Sequence, residues 1–326
     1  MRGWRIHGAG EPADVLRLEE LASPVPGPGQ VRIRVAAAAL NFADALLCRG
    51  LYQLRPEPPF TPGMELTGRV VASGPGVALE PGTRVMAIPD LPAGALAEEA
   101  VASEANVYPA PGPMSDAEAA GFLIPYQTGH VALHRRGMLR AGETLLVHAG
   151  AGGVGSAAIQ LGVAAGARVL ATAGGPEKCE VCRTQGASLA IDYRADDFVE
   201  AVKQATDGAG ADVIYDPVGG EVLDRSRRCI AWQGRILLIG FAGGTIASLP
   251  TNHLLIKNYS VVGVYMGEYS RRERPFLDAV HDELLALHAA ERIRPLVGRE
   301  IGLEDVPAAI GELADRKTVG KIVVRM

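Results

Sequence analysis

Apolar and polar residues change rhythm near residue 125, and the change divides the chain into two kinds of structure. Before it, Val31-Arg32-Ile33-Arg34-Val35 alternates with period two, the pattern of a half-buried strand. The preceding Pro24-Val25-Pro26-Gly27-Pro28-Gly29 is a turn or loop. Thr67-Gly68-Arg69-Val70-Val71 and Thr83-Arg84-Val85-Met86-Ala87 are further short runs between Gly-Pro and Pro-Gly pairs. Such punctuation predicts an irregular barrel or sandwich. After Tyr126 the pattern predicts strands at 144–148, 168–172, 189–192, 211–215, 234–241 and 259–265. Between them lie predicted helices ending at Ala165 and spanning 176–185, 196–206 and 221–229. Strands alternating with helices form a parallel, doubly wound sheet. A helix over 274–290 and a strand over 321–325 complete the chain. The predicted fold class is α/β. A mostly β domain (1–125 and 267–326) receives a doubly wound domain (126–266) as an insertion.

Composition narrows the setting. The 326 residues are 48% hydrophobic and 21% charged, ordinary for a globular chain and too apolar for disorder. At this length the core needs neither disulfides nor a structural metal. A net charge of −5 argues against nucleic acid or anionic membrane as a partner, since both need a basic surface. Four cysteines show no extracellular framework, and the N-terminus lacks the apolar run of a signal peptide. The run from Thr144 to Ala167 has no acidic, Lys or Arg residue, but its glycines break it into a strand and a helix, not a membrane span. The expectation is a cytoplasmic protein.

The candidate chemistry begins at Gly150-Ala151-Gly152-Gly153-Val154-Gly155, a G-x-G-x-x-G that follows an apolar strand and opens a helix. There the first glycine permits the tight turn, the second lets backbone approach a pyrophosphate, and the third lets helix and strand pack closely. Free N–H groups at the helix start hold the negative charge. An NAD site carries an acid about 20 residues further on, at the end of the second strand. Here that strand ends Ala171-Thr172-Ala173-Gly174-Gly175, without one. Lys178 and Tyr193 are suitable donors to a 2′-phosphate. From spacing alone they are equally a solvated helix lysine and a capping aromatic.

These motifs carry a family resemblance. Asn41-Phe42-Ala43-Asp44, Arg49-Gly50-Leu51-Tyr52, Pro62-Gly63-Met64-Glu65 and the segment from His148 to Gly155 all contribute. So do Asp192-Tyr193-Arg194, Tyr215-Asp216-Pro217-Val218-Gly219-Gly220 and Lys257-Asn258-Tyr259-Ser260-Val261-Val262-Gly263. Across essentially its whole length the chain resembles the medium-chain dehydrogenase/reductase superfamily, in the zinc-independent quinone oxidoreductase branch that includes zeta-crystallin. The resemblance implies a GroES-like catalytic domain built from both chain ends, with a Rossmann domain between. It implies NADPH as cofactor, with Gly174, Lys178 and Tyr193 at the 2′-phosphate. It further implies that Asn41, Thr128, Val218 and Phe241 line the nicotinamide end, and that Tyr52 stands near the substrate cleft. Some relatives have arginine at the place of Cys48 and tyrosine at that of Leu46, so their substrate contacts do not transfer here.

Zinc members of the superfamily hold the metal with Cys and His where this chain has Asn41 and Met64, both poor zinc ligands. No metal site is expected. His130 and His134 lack the following glutamate of a metalloprotease helix, and read as structural. Cys179-Glu180-Val181-Cys182 falls inside a predicted helix rather than at its start, which disfavours a redox pair. Without a Lewis acid, what remains is hydride delivery to an electron-poor acceptor, a quinone or an activated alkene. Tyr52 either donates a proton or hydrogen bond to the acceptor or is only an aromatic cleft wall, while Asn41 and Asp44 shape the nicotinamide side. The leading expectation is a quinone reductase. An enone or enoyl C=C reductase is the alternative, and an RNA-binding or structural protein a weaker one. Strand 259–265 has no charge or proline to protect an exposed edge, which predicts a homodimer through it.

Overall fold

A computed structural model describes residues 1–326, which form two compact units: 1–124 with 295–326, and 125–294.

In the first unit the alternating segment becomes the ten-residue strand Gln30–Ala39. Its inward Val31, Ile33 and Val35 are buried. Strand Leu66–Ser73 pairs with it antiparallel, with register shifts after Arg32 and Val35 that bend the ladder. Strand Gln30–Ala39 also pairs near its start with Glu99–Ser103 and near its end with Lys321–Arg325. One long, bulged strand thus organises a seven-stranded sheet that continues through Arg84–Ala87 to Val107–Pro109. The core holds Trp4, Ile6, Leu40, Phe60, Leu66, Leu96 and Ile322, and Trp4 Nε1 donates to the Leu303 carbonyl at 2.7 Å.

The second unit is a six-stranded parallel sheet. Its order is Leu189–Asp192, Arg168–Ala173, Thr144–Val147, Ala211–Asp216, Ile230–Leu238 and Ser260–Gly263. The order reverses direction beside Thr144–Val147, the place where such sheets bind ligands. Helix ends agree with the apolar pattern to within a few residues. Two strands differ. The fifth begins at Ile230, ahead of Gly234, because its ladder with Ala211–Asp216 shifts register around Trp232 and Gln233, the latter at φ +58°. The sixth is limited to Ser260–Gly263, although the Val264 amide still donates to the Leu238 carbonyl.

The division between units also differs from the expectation at one place. Residues 267–294 were expected with the mostly β domain, yet they belong to the second unit. Helix Arg274–Ala289 explains this, since its apolar face (Leu277, Val280, Leu284) is buried there. Glu283 bonds His130 at 2.8 Å, and Gln160 Nε2 donates to the Arg294 carbonyl at 2.9 Å. No helix is long and apolar enough to cross a membrane.

Candidate functional site

The glycine loop joins strand Thr144–Val147 to helix Gly153–Ala164. Its tight turn is made with Ala149 at φ +52° and a bond from the Gly152 amide to the Ala149 carbonyl at 3.0 Å. The glycines serve different ends. A Cβ on Gly155 would collide with the Ala149 carbonyl oxygen, and one on Gly150 would lie 2.8 Å from Cys182 Sγ. Packing therefore excludes side chains at both. Gly152 is different: a Cβ there would meet the protein only at an ordinary 3.4 Å, and its φ of −85° suits any residue. The space above Gly152 lies against the helix N-terminus, where the first-turn amides of Gly153, Val154 and Gly155 lack intrahelical partners. No side chain caps this helix. The arrangement suits a bound anion.

A second anion-suited corner lies where strands Arg168–Ala173 and Leu189–Asp192 end side by side, with Asp192 paired to Ala173. The structure brings Gly174, Lys178 and Tyr193 together there. A Cβ on Gly174 would lie 2.6 Å from the Tyr193 hydroxyl and 3.1 Å from Arg194 Nε. Asp192 braces the corner by accepting from the Gly175 amide at 2.8 Å and the Arg194 amide at 3.0 Å, and these bonds hold its carboxyl below the usual range. Burial, then the neighbouring Arg194 charge, push the Lys178 ammonium below its ordinary value. Two cations this close favour a dianion between them. Arg194 is the residue that the sequence reading quoted in a motif without giving it a role. Its adjacency to Tyr193 at a strand end was the available signal.

Val218 and Phe241 lie on adjoining loops. The Val218 amide donates to Asp216 Oδ1 at 2.8 Å, the Gly243 amide donates to the Val218 carbonyl at 2.7 Å, and a Cβ on Gly219 would lie 2.8 Å from the Phe241 ring. Thr128 is buried in helix Leu123–His130 of the same unit.

Asn41, Asp44 and Tyr52 belong to the first unit. Asn41 precedes helix Phe42–Cys48, whose first turn contains Asp44. Asp44 is fully buried, and both its oxygens accept backbone bonds, from the Asn41 amide at 2.8 Å and the Gly63 amide at 3.1 Å. Burial nonetheless outweighs these bonds and raises its carboxyl to about 6. Asn41 is half-buried, and its amide meets a buried ion pair, Lys321 Nζ to Glu65 Oε1 at 2.7 Å. Lys321 Nζ also donates to Asn41 Oδ1 and to the Leu40 carbonyl, each at 2.8 Å. Asn41 Nδ2 donates to Glu65 Oε1 at 3.1 Å and to the Ala39 carbonyl at 3.2 Å, while Glu65 Oε2 accepts from the Ile124 amide at 3.0 Å. Sequence reasoning assigned nothing to Lys321 or Glu65. Tyr52 is half-buried against the core of this unit.

The remaining reactive side chains are quiet. All four cysteines are free and buried, and burial pushes the Cys48, Cys182 and Cys229 thiols up to about 12. Thiols held protonated are poor nucleophiles and poor redox partners. His148 is buried between the Thr172 and Ser226 hydroxyls at 3.0 and 2.9 Å, and burial lowers its basicity. His130 bonds Glu283 and lies 4.6 Å, ring to ring, from His134. No three His, Cys, Asp or Glu side chains converge as metal ligands do.

The model of the zinc-binding dehydrogenase family matches residues 153–282, and that of the alcohol dehydrogenase GroES-like domain matches residues 27–112. Quinone oxidoreductase-like protein 2 of Bos taurus is 36% identical, aligned over 100% of this chain and 93% of its own length. The chain belongs to the medium-chain dehydrogenase/reductase family. Among solved members, the Escherichia coli quinone oxidoreductase in complex with NADPH superposes with a TM-score of 0.93 at 28% identity, covering all of both chains. The CurK enoyl reductase superposes with a TM-score of 0.88 at 27% identity, covering 100% of this chain and 99% of its own. The GroES-like and Rossmann-like parts of this family correspond to the two units described above.

Proposed function

We propose that this oxidoreductase is an NADPH-dependent quinone reductase that transfers hydride directly, without zinc, to a quinone or similarly electron-poor acceptor. The observation that carries the reading is the corner of Gly174, Lys178, Tyr193 and Arg194, with Ala173 in place of an acid. Two cations and a hydroxyl around a glycine fit a phosphate dianion, and an acid there would repel it. The open space above Gly152 and the uncapped amides of helix Gly153–Ala164 fit the pyrophosphate. Bound NADPH supplies the hydride.

The chain's own residues then orient and polarise. Asn41, Thr128, Val218 and Phe241 are assigned to the nicotinamide end. Tyr52 is assigned to the acceptor, as hydrogen-bond donor or as an apolar wall. Asp44, with both oxygens committed to amides, acts by holding the start of helix Phe42–Cys48. Zinc is disfavoured by donor chemistry, because an ammonium lies 2.8 Å from the Asn41 oxygen where a dication would need a ligand.

Lys178→Ala should raise the Kd for NADPH about tenfold and leave that for NADH nearly unchanged. Equal loss for both cofactors would overturn the assignment. The likeness to an enoyl reductase favours C=C reduction as the second reading. Steady-state rates on quinones, enones and enoyl thioesters decide between the two.

The reading includes a cytoplasmic homodimer. Strand Ser260–Gly263 ends its sheet with one edge unpaired, and Leu255, Ile256 and Tyr265 nearby in the chain are exposed. Light scattering should give about twice the 34.1 kDa chain mass, and Val262→Lys should halve it. A monomeric wild-type protein would refute the dimer.

A further inference from the structure

Asn41 lies among partners that leave its amide only one orientation. Lysine can only donate, so the side of Asn41 facing Lys321 Nζ at 2.8 Å must be the oxygen. A glutamate can only accept, so the side facing Glu65 Oε1 at 3.1 Å must be the nitrogen. The second Nδ2 proton goes to the Ala39 carbonyl at 3.2 Å. Lys321 is equally committed, its three N–H groups going to Glu65, Asn41 and the Leu40 carbonyl. Glu65 and Lys321 are 1% and 5% exposed, so neither can turn to water, whereas Asn41 is half-buried and reachable.

We infer that Lys321 and Glu65 are positioning residues, a buried ion pair that locks the Asn41 amide so that it meets a ligand as a hydrogen-bond acceptor and never as a donor. The inference rests on the proposed assignment of Asn41 to the nicotinamide end. What Asn41 can recognise is then an N–H or O–H on the ligand, such as a hydroxyl or a carboxamide nitrogen. It cannot donate to the carbonyl oxygen of an acceptor, which leaves that task to another group. Lys321 holds the oxygen side and Glu65 the nitrogen side, so the amide can reverse only when both are replaced, and a reversed amide would present two N–H groups to the same ligand proton.

The test separates folding from positioning. Lys321→Met leaves Glu65 buried without its ion partner, so the fold should lose stability. Lys321→Met with Glu65→Gln removes both charges, and the glutamine can still accept from the Ile124 amide while donating to a reversed Asn41. This double variant should melt close to wild type, yet bind NADPH about tenfold more weakly in a fluorescence titration, with KM for NADPH rising more than kcat falls. A double variant with restored melting and wild-type NADPH affinity would overturn the inference. If the double variant does not fold, a cycle of Asn41→Ala, Lys321→Met and their combination reads the same coupling. Positioning requires that Lys321→Met add nothing to Asn41→Ala in NADPH affinity, and additive losses refute it. A third readout needs no cofactor. In nitrogen-15 spectra of the protein alone, both side-chain amide protons of Asn41 should be protected from exchange, and Lys321→Met with Glu65→Gln should release them. Unprotected protons in the wild type would refute the locked amide. Failure of the wild-type protein to bind NADPH would instead refute the proposed function, leaving the exchange result to decide the positioning.

Discussion

The two units handle clustered charge in opposite ways, one sealed inside its core and the other at a partly exposed corner. In the first, Lys321, Glu65 and the Asn41 amide close on one another, with all three ammonium protons and both glutamate oxygens bonded within the protein. In the second, Lys178 and Arg194 are set side by side, and partial burial, then the Arg194 charge, make the Lys178 ammonium harder to hold. A closed cluster spends its electrostatic energy on shape. A cluster of like charges spends stability to keep a place for a ligand of opposite sign. Sites of the two kinds differ in what happens on removing one member: the closed one loses fold, the open one loses binding.

The largest expected effect lies in the closed cluster. Lys321→Met should destabilise the protein by about 3–5 kcal/mol in urea unfolding at pH 7, because an unpaired carboxylate stays buried. Lys178→Met should change stability by less than about 1 kcal/mol, since it also removes a repulsion. Similar losses in the two variants would break the contrast.

Asp44 sharpens it through pH. Burial raises this carboxyl to about 6 in the folded protein, against about 3.9 in an unfolded chain. Between these values the folded state binds more protons than the unfolded one, so the Asp44 contribution to stability falls as pH rises from about 4 to 6. The decline should be on the order of 2 kcal/mol. Asp44→Asn, compared with wild type by urea unfolding across that range, should remove this part of the slope. Identical slopes would mean that the backbone amides offset the burial fully.

The smallest effect on the fold belongs to the glycine loop. Gly152→Ala should leave stability within about 1 kcal/mol, since its Cβ meets only ordinary contact distance. NADPH binding measured by titration should nevertheless weaken, because the methyl group enters space that the protein leaves open. An alanine variant that binds as tightly as wild type would show that the pyrophosphate does not come so close.

Much of this was legible along the chain because it is local. Period-two alternation placed strand Gln30–Ala39, and the apolar runs placed all six parallel strands. The glycine loop between strand and helix, and the missing acid at Ala173, needed only neighbouring residues. The sequence reading misplaced residues 267–294 because an amphipathic helix declares that it has a buried face, not which surface covers it.

What tertiary structure alone decided is which distant side chains meet. Lys321 reaches Asn41 across 280 positions because Lys321–Arg325 runs antiparallel to Gln30–Ala39, with Val323 opposite Ala39. That register carries the lysine past the end of the long strand, to the residue that starts the next helix. Arg194 joins Lys178 because the parallel register sets Asp192 beside Ala173, so that the residues following each strand share one corner. Periodicity sets which face of a strand is buried, but the partner and its register are chosen by how whole sheets pack, and no stretch of sequence contains that choice.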